Sequence, residues 1–545
     1  MQSDAIPYTQ VPKSSALLLD YLYHFERVSR FYDASPRDTD RLRGLAEQLS
    51  RWGERRAQVS RILLRQNQAL GCGAETVRNI ERLAQPGAVA VVTGQQAGFF
   101  SGPAFTLYKA LTTVKLVEWL RGKGFEAVPV FWQASEDHDL AEVARTNLLN
   151  DQDELIDVGD DGERGSLQPS VGYVRLSAGV TTALERLESL LPPGESRDGL
   201  LADLRASYRP GETWPRAFAQ FMTRLFSRWG VILLDPLDEE IHRLSAHIYL
   251  EAMARADELR RQLTERSQRL IEAGYHAQVH LAADSTLVFI EQEGSRRPLH
   301  HRNGQPGRGY FVNGDEDWSL AELERKVEAE PLAFSPNVLL RPIVQDCLLP
   351  TLAYVAGPSE LAYFGQAQVL YAVLGRPMPT LFPRAAFTLV DARCRRLLEK
   401  YQLTVEDVWR GEEHLTQKIG ATGFAAGWGE RFEQREQELK RVIEDLRSDV
   451  AKLDPTLLDA LRHVEEKINY QVDRLKGKMA RAALERSELL SRHRQMLQRF
   501  LMPRQNLQER EIGGVYFLGR AGYALLDRIL ERIGFESFEH QLLMI

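Results

Sequence analysis

Four titratable residues follow one another directly after an apolar run in this chain. Ala127 to Ser135, AVPVFWQAS, is typical of a buried strand, and Glu136, Asp137, His138 and Asp139 come next. Carboxylates and an imidazole at such a point can bind an ammonium group, act as a general base or ligate a metal ion. One short run rarely supplies a full metal shell, and a capping or salt-bridge role also stays open. We therefore take these four residues as catalytic candidates and expect no metal site.

A glycine-rich loop follows the preceding apolar run, Ala88 to Val92. A helix is expected to begin at Pro103, because proline has no N–H and fits the first helical position. Backbone N–H groups at such a turn bind phosphate or carboxylate, although a glycine turn without a ligand is the alternative. The pattern is neither GxxxxGK[ST] nor GxGxxG, so it supports neither a P-loop nor a dinucleotide fingerprint. The candidate binding residues of the loop are Gly94, Gln95, Gln96, Gly98, Ser101 and Gly102.

Thr106 and Lys109 extend this candidate site along the expected helix. Their spacing from Gly102 follows one helix face, so the Lys109 ammonium could reach a bound phosphate. A solvated lysine is an equally good interpretation. Trp132 lies within the second apolar run, where it is expected in the core, with a pocket wall as the alternative.

A third polar group belongs to a second α/β stretch. Thr351 to Ala356 predicts a strand, and the following Gly-Pro-Ser-Glu opens a helix that runs to about Leu374. Upstream, Arg341 stands in the apolar context LLRPIVQ, where a lone charge needs either a substrate carboxylate or an internal salt bridge. The candidate binding residues of this group are Asn337, Arg341, Gly357, Pro358, Glu360 and Tyr363.

The elements that would position these groups form a doubly wound parallel sheet. Two strand–turn–helix units repeat, and in open parallel sheets ligands bind at the carboxyl ends of the strands. All three groups are therefore expected to open on one crevice. Residues 14–85 and 239–273 predict helices, and Val231 to Leu234 predicts another strand. Residues 285–312 predict a β-hairpin with a mobile tip, with His300 and His301 as exposed loop residues.

The last part of the chain has a helical repeat. Glu430 to Leu453 and Leu457 to Leu501 are predicted helices, with a break at Asp454-Pro455-Thr456. Apolar residues at three- and four-residue spacing amid dense charge predict a coiled coil, and a two-helix stalk of this kind favours a homodimer. The seam consists of Leu461, Val464, Ile468, Val472, Leu475, Met479 and Ala482.

These patterns divide the chain into three parts. Residues 1–387 form the core, with an insertion at about 240–335; residues 388–505 form the antiparallel stalk; and residues 506–545 return to the core. The apolar tail GFESFEHQLLMI is expected to be docked.

Composition excludes several classes of protein. The 545 residues are 43% hydrophobic and 27% charged, with a net charge of −7, so neither nucleic acid nor an anionic membrane is an expected partner. No run approaches the roughly 18 apolar residues of a membrane span, and the first ten residues lack a signal-peptide pattern, which favours the cytoplasm. Cys72, Cys347 and Cys394 form no CxxC, so we expect small buried residues, with a reactive thiol as the alternative.

Several long motifs resemble one family along most of the chain. VVTGQQAGFFSGPAFTLYK, PVFWQASEDHDLAEV, NVLLRPIVQDCLLPTLAYVAGPSELAYFGQ, PMPTLFPR and the late NLQER are similar to the bacillithiol biosynthesis cysteine-adding enzymes (BshC). The resemblance implies a Rossmann-like core related to nucleotidylyltransferases and class I aminoacyl-tRNA synthetases, a helical stalk and a homodimer. It also implies a reaction that joins the cysteine carboxylate to the amine of glucosaminyl-malate, giving bacillithiol.

This reaction suggests roles for the candidate residues. Amide formation needs an activated carboxylate, so we expect ATP or bound ADP, with magnesium, and either an acyl-adenylate or an acyl phosphate. The loop from Gly94 to Gly102 would hold the activated carboxyl or the phosphates, and Arg341 would meet the malate carboxylates. His138 or an adjacent acid would deprotonate the glucosamine amine, while one of the three acids would clamp the cysteine ammonium. A second nucleotide position near the stalk is expected from Arg384, Asn506, Gln508 and Arg510.

One departure from the related superfamily supports a rival hypothesis. Those proteins carry HxGH at the first strand-to-helix turn, whereas this chain has FFSGPAF, without a histidine. A non-catalytic nucleotide- or sugar-binding scaffold, or a regulator of a thiol pathway, would fit that departure. The concentration of polar residues at two strand ends favours an enzyme.

Overall fold

The computed structural model describes residues 4–50, 55–162, 167–302, 308–312, 317–423 and 428–545. The strands are β1 (Ala5–Ile6), β2 (Val89–Gln95), β3 (Ala127–Gln133), β4 (Arg145–Leu149), β5 (Leu155–Gly159), β6 (Ile232–Leu234), β7 (Ser285–Gln292), β8 (Ser295–His301), β9 (Arg308–Phe311), β10 (Trp318–Ser319), β11 (Phe334–Pro336), β12 (Thr351–Ala356), β13 (Thr380–Pro383), β14 (Ala386–Val390) and β15 (His540–Met544).

The helices of the first 385 residues are α1 (Ala16–Tyr23), α2 (Phe25–Val28), α3 (Thr39–Ser50), α4 (Arg55–Ala69), α5 (Ala74–Leu83), α6 (Phe105–Gly122), α7 (Leu140–Val143), α8 (Gly179–Leu190), α9 (Glu195–Ser207), α10 (Trp214–Phe226), α11 (Glu239–Ala254), α12 (Ala256–Glu272), α13 (Leu320–Ala329), α14 (Arg341–Leu348) and α15 (Pro358–Val373). The later helices are α16 (Ala392–Lys400), α17 (Val405–Trp409), α18 (Glu412–Ala421), α19 (Trp428–Leu453), α20 (Leu458–Glu485), α21 (Glu488–Leu501), α22 (Gln508–Glu511), α23 (Gly514–Ala521) and α24 (Ala524–Arg532). No helix among the described residues is long and apolar enough to cross a membrane.

A five-stranded parallel sheet forms the centre of the core, in the order β13-β12-β2-β3-β6. Every residue of β3, β6, β12 and β13 is buried, as the continuous apolar runs require of strands covered on both faces. Helices α3, α4, α5, α6 and α15 pack against it. The predicted doubly wound Rossmann-like sheet is confirmed, and the carboxyl ends of β2, β3 and β12 meet at one edge.

The first strand-to-helix turn differs from the prediction, because α6 begins at Phe105 rather than at Pro103. The backbone has positive φ at Phe100, Ser101 and Gly102, so the chain turns twice before the helix can start. Pro103 then forms a β-bridge with Gly513, and the N–H of Ala104 donates to Ile512 O at 2.9 Å. The C-terminal segment therefore covers this helix start.

The insertion is larger than the predicted hairpin. Strands β7 and β8 form the hairpin, but they belong to an antiparallel sheet in the order β10-β9-β8-β7-β11. The prediction of exposed loop residues is wrong for His300 and His301, which lie on β8 and approach Asp284 and Asp257 at 2.8 and 3.2 Å. The predicted mobile tip includes residues 303–307, which lie outside the described residues.

The predicted coiled coil corresponds to α19 and α20, separated at Asp454-Pro455-Thr456 as expected. The second predicted helix is interrupted, because Ser487 caps a new helix, α21, by accepting a hydrogen bond from the N–H of Leu490. Most of the predicted seam on α20 is half-buried, but Val464 and Leu475 are 50% and 51% exposed. Further exposed apolar residues on this pair and its connection are Val442, Leu446, Leu453, Leu457 and Tyr470.

The chain after α21 returns to the core, and its tail is docked. Strand β15 lies between β1 and β14, antiparallel to β1 and parallel to β14. Residues from both ends of the chain therefore form one small sheet with β14.

Candidate active site

A cavity of about 690 Å³ lies at the carboxyl ends of β2, β3 and β12, under the insertion. We call it the first cavity. It brings together members of all three predicted groups, although their roles stay predictions. The predicted residues that line it are Gly94, Gln95, Gln96, Lys109, Trp132, Glu136, Asp137, Asn337, Arg341, Glu360 and Tyr363.

One side of the first cavity is acidic. Asp137 accepts hydrogen bonds from Gln96 Nε2 and from the N–H of His138, both at 2.7 Å. Glu136 is turned toward α11, where its Oε1 lies 3.3 Å from Nε2 of His242. The two neighbouring acids thus have different surroundings: Asp137 is held by hydrogen bonds, and Glu136 faces an imidazole.

His138 does not line the first cavity in the described structure. Its Nδ1 lies 3.0 Å from a guanidinium nitrogen of Arg296 on β8, and because arginine only donates, this Nδ1 must accept. In the neutral ring the hydrogen is then on Nε2, so the ring is an N–H donor rather than a proton acceptor. The base role predicted for His138 has no support from this geometry.

Arg296 is a site residue that the sequence interpretation missed. It packs over the Phe289 ring at 3.9 Å and donates to Ser335 Oγ and Pro336 O at 2.9 and 2.8 Å. These contacts hold Arg296 within the insertion sheet, and its contact with His138 fastens the insertion to the loop after β3. The only sequence signal was the basic run SRRPLHHR beside the predicted hairpin.

Asp139 does not reach the first cavity, contrary to the prediction. It caps α7 by accepting a hydrogen bond from the N–H of Glu142 at 3.1 Å. Its carboxylate accepts a hydrogen bond from a free N–H group in the first turn of α7, which is the capping role considered as an alternative above.

Arg341 faces the first cavity without a carboxylate partner. Its guanidinium donates to Gln345 Oε1 at 3.0 Å and to the hydroxyls of Tyr363 and Tyr354 at 3.2 and 3.4 Å. Among the described residues it forms no ion pair within 4.0 Å. The described residues therefore show no internal salt bridge for Arg341, and the binding of a substrate carboxylate by this residue stays a prediction.

Lys109 is not the solvated lysine that the sequence allowed. It is 4% exposed, and its Nζ lies 2.6 Å from Glu360 Oε2, 2.7 Å from Gly94 O and 3.0 Å from Gln95 Oε1. Burial lowers the pKa of Lys109, and the Glu360 carboxylate opposes that shift. Lys109 therefore ties the loop after β2 to α15, and its charge is already neutralised.

The second half of the glycine loop does not line the first cavity, although the prediction placed it there. Gly513 and Gly514 lie against it, and the N–H of Gly514 donates to Gly102 O at 3.1 Å. The turn is also closed tightly, since a Cβ on Gly98 would lie 2.6 Å from Gly102 Cα. The predicted binding residues removed from the first cavity in this way are Gly98, Ser101, Gly102 and Thr106.

Gly357 and Pro358 begin α15 and do not line the first cavity. Gly357 is the N-cap, and its N–H donates to Glu360 Oε2 at 2.7 Å. This bond fixes the Glu360 carboxylate beside Lys109.

A second cavity of about 500 Å³ lies between the N-terminal segment and the chain after α21. Three of the four predicted nucleotide-binding residues line it, namely Arg384, Asn506 and Arg510. Arg384 is paired with Glu509 at 2.6 and 3.0 Å, whereas Arg510 has no hydrogen bond or ion pair from its side chain among the described residues. The two cavities share Gln278 and Ser359 in their walls.

Gln508 is not available for a nucleotide, which contradicts the prediction. Its amide is fully buried; it accepts from the N–H of Leu389 at 2.7 Å and donates to Leu389 O and Phe500 O at 2.9 and 3.0 Å. It joins α22 to β14.

The cysteines are isolated from both cavities. Cys347 and Cys394 are buried, as expected, and Cys72 is partly exposed. Among the described residues, no group of three histidine, cysteine or acidic side chains is arranged to hold a metal ion.

The fold and the cavity define a Rossmann-like domain with a polar site at its strand ends, followed by a coiled-coil domain. Residues 1–385 match the family model described as bacillithiol biosynthesis BshC, N-terminal Rossmann-like domain. Residues 387–545 match the model described as bacillithiol biosynthesis BshC, C-terminal coiled-coil domain.

Similar proteins cover almost the whole chain. Proteins from Koribacter versatilis, Solibacter usitatus and Salinibacter ruber are 38%, 34% and 32% identical to it, over 98%, 100% and 96% of this chain and 98%, 100% and 95% of their own. Each bears the name "Putative cysteine ligase BshC". The chain therefore belongs to the BshC family and is a ligase of bacillithiol biosynthesis.

Proposed function

We propose that this ligase joins the carboxylate of L-cysteine to the amine of glucosaminyl-malate and so forms bacillithiol. The observation that carries the proposal is the charge distribution of the first cavity. It has an arginine without a carboxylate partner, Arg341, and a pair of acids, Glu136 and Asp137, at the edge of one sheet. Such a cavity suits substrates that carry both carboxylates and amines.

Arg341 would bind the malate carboxylates, supported by Asn337 and Tyr363 in the same wall. The cysteine ammonium would bind to the acidic side. The amine of the sugar must lose a proton to attack; Asp137, which lines the cavity, would take it rather than His138, whose Nδ1 already accepts from Arg296. The N–H groups of the stretch from Gly94 to Gln96 would lie near the reacting carboxyl.

Activation of the cysteine carboxylate would come from ATP with magnesium, which supplies the leaving group. The second cavity is the better fit for a nucleotide, because the side chain of Arg510 has no anionic partner there and Lys13 lies in the same wall. The two cavities share Gln278 and Ser359 in their walls, so the phosphates of the nucleotide would meet the cysteine carboxylate at this boundary.

A homodimer through α19 and α20 is part of the proposal. The exposed apolar side chains of these helices, including Val464 and Leu475, would then be covered by a second copy. Location in the cytoplasm stays a prediction from the sequence.

The test is a mass-spectrometric assay of the full chain with glucosaminyl-malate, cysteine and Mg-ATP. We expect bacillithiol; release of AMP would indicate an adenylate, and release of ADP an acyl phosphate. Arg341→Gln should lower kcat/KM for glucosaminyl-malate about 10- to 100-fold, because a charge-assisted hydrogen bond is lost. Arg325→Gln, an exposed arginine of α13, is the matched control and should not change it.

A non-catalytic scaffold is the second candidate, and one observation favours it. The turn FFSGPAF lacks a histidine, and its second half is covered by residues 513 and 514. Folded protein that binds neither glucosaminyl-malate nor cysteine and forms no product would support the scaffold and contradict the ligase mechanism proposed here.

A further inference from the structure

A buried histidine on α11 contacts the acidic wall of the first cavity. Glu136 is 6% exposed and His242 is 1% exposed, with Oε1 and Nε2 3.3 Å apart. The two atoms are not aligned as a hydrogen bond, and neither has another hydrogen-bond partner among the described residues. The charge of Arg296 also acts on Glu136, but the imidazole is the only ion-pair partner of this carboxylate within 4.0 Å among the described residues.

The other nitrogen of His242 determines the charge of the ring. Nδ1 lies 3.0 Å from Pro331 O, and because a carbonyl oxygen only accepts, Nδ1 carries a hydrogen. A neutral ring would then direct the lone pair of Nε2 at a buried carboxylate. A proton on Nε2, in addition to the one on Nδ1, removes the repulsion between the lone pair and the carboxylate and makes the ring an imidazolium. Burial lowers the pKa of His242, but Glu136 and the carbonyls of Pro331 and Phe334 raise it by more.

Glu136 differs from Asp137 and Asp139 because its carboxylate receives no hydrogen bond from the described residues. Asp139 caps α7, and Asp137 accepts from three donors of the protein, Gln96 on one oxygen and the N–H groups of His138 and Asp139 on the other. Neither oxygen of Glu136 receives a hydrogen bond from the described residues. Its carboxylate lines the first cavity, so the hydrogen-bond donors that it lacks can come from a ligand.

We infer that Glu136 is the acid that binds the α-ammonium of cysteine, and that His242 is the positioning residue that holds this carboxylate in place. The inference rests on the function proposed above and narrows three candidate acids to one. An ammonium group has three N–H donors. The Glu136 carboxylate can accept them, because His242 lies against only one of its sides.

The test compares the binding of L-cysteine and N-acetyl-L-cysteine, which lacks the ammonium, by calorimetry on the full chain. The wild type should bind cysteine at least tenfold more tightly, and Glu136→Gln should abolish most of this preference. His242→Leu should reduce it similarly. His242→Gln should retain much of it, since its amide N–H can still donate to Glu136. A purely structural role for His242 would not change the ratio of the two affinities.

The matched control is His247→Leu. His247 lies on the same helix but contacts Cys347 and Arg376 instead of the cavity, so its replacement should leave the ratio unchanged. A wild type without preference for cysteine would overturn the inference. A wild type that forms bacillithiol, together with a Glu136→Gln variant that keeps the full preference, would overturn the inference and leave the proposed function intact.

Discussion

At the scale of single residues, the position of Arg341 depends on a chain of polar side chains behind it. Arg341 is held by Gln345, which donates to Asp346 at 2.9 Å, and Asp346 accepts from the Tyr371 hydroxyl. Burial raises the pKa of Asp346 to about 6. The arginine of the first cavity is therefore supported by a buried carboxyl group whose pKa is raised by burial.

This titration predicts a pH-dependent stability. Between about pH 4 and pH 6 the folded chain keeps a proton on Asp346 that the unfolded chain releases, so ionisation costs stability as the pH rises. Asp346→Asn removes this cost. The stability of the wild type relative to the variant should fall by roughly 2 to 3 kcal/mol from pH 4 to pH 7, as measured by urea unfolding. Parallel pH profiles of the two proteins would contradict the assignment.

Residue types and their positions predicted many of the residues of the site, but not the side chains that each of them contacts. Glu136, Asp137 and Arg341 were predicted because a charged residue next to a buried apolar segment needs a partner or a ligand. The burial of Lys109 could not be predicted, since Glu360 lies far away in sequence. Gln508 was taken for a binding residue as part of the NLQER motif, yet its amide completes the hydrogen bonding of a strand and a helix. Polarity alone does not distinguish a ligand site from a buried backbone that needs partners.

At the scale of elements, the turn before α6 is tightly constrained. Gly98 and Gly102 approach each other so closely that a Cβ on Gly98 would meet the Gly102 backbone, and Gly102 has φ +68°. Continuous apolar runs made the parallel strands predictable, but this turn was not, because residues 512–514 determine where the helix can begin. The short strands β10 and β11 were missed for a similar reason: two or three residues carry no periodicity.

We predict that Gly98→Ala destabilises the protein by about 1 to 3 kcal/mol, because backbone atoms rather than flexible side chains must move. Gly44→Ala is the control: it lies within α3, where a Cβ meets nothing within 4 Å. That change should instead stabilise by about 0.5 to 1 kcal/mol. Thermal or urea unfolding measures both, and a Gly98→Ala variant as stable as the wild type would show that the turn can relax.

At the scale of the whole molecule, the proposed dimer predicts that charged substitutions on the coiled coil will halve the mass of the particle in solution. The double change Val464→Glu and Leu475→Glu places charges on the exposed apolar face of α20 and should convert a dimer to a monomer in sedimentation experiments. Ile271→Glu is the control, because Ile271 is equally exposed on α12, away from the coiled coil. A wild type that sediments as a monomer would contradict the dimer.

The small sheet β1-β15-β14 has a consequence for the two halves matched by the family models. Its strands come from residues 5–6, 386–390 and 540–544, so the division at residues 385–387 separates β1 from its neighbours. Residues 512–514 likewise complete a turn that belongs to the first half. The two halves are therefore complementary fragments rather than independent modules. Expressed as separate chains, each should remain incompletely folded until it meets the other, which would make the chain a candidate for split-protein reconstitution.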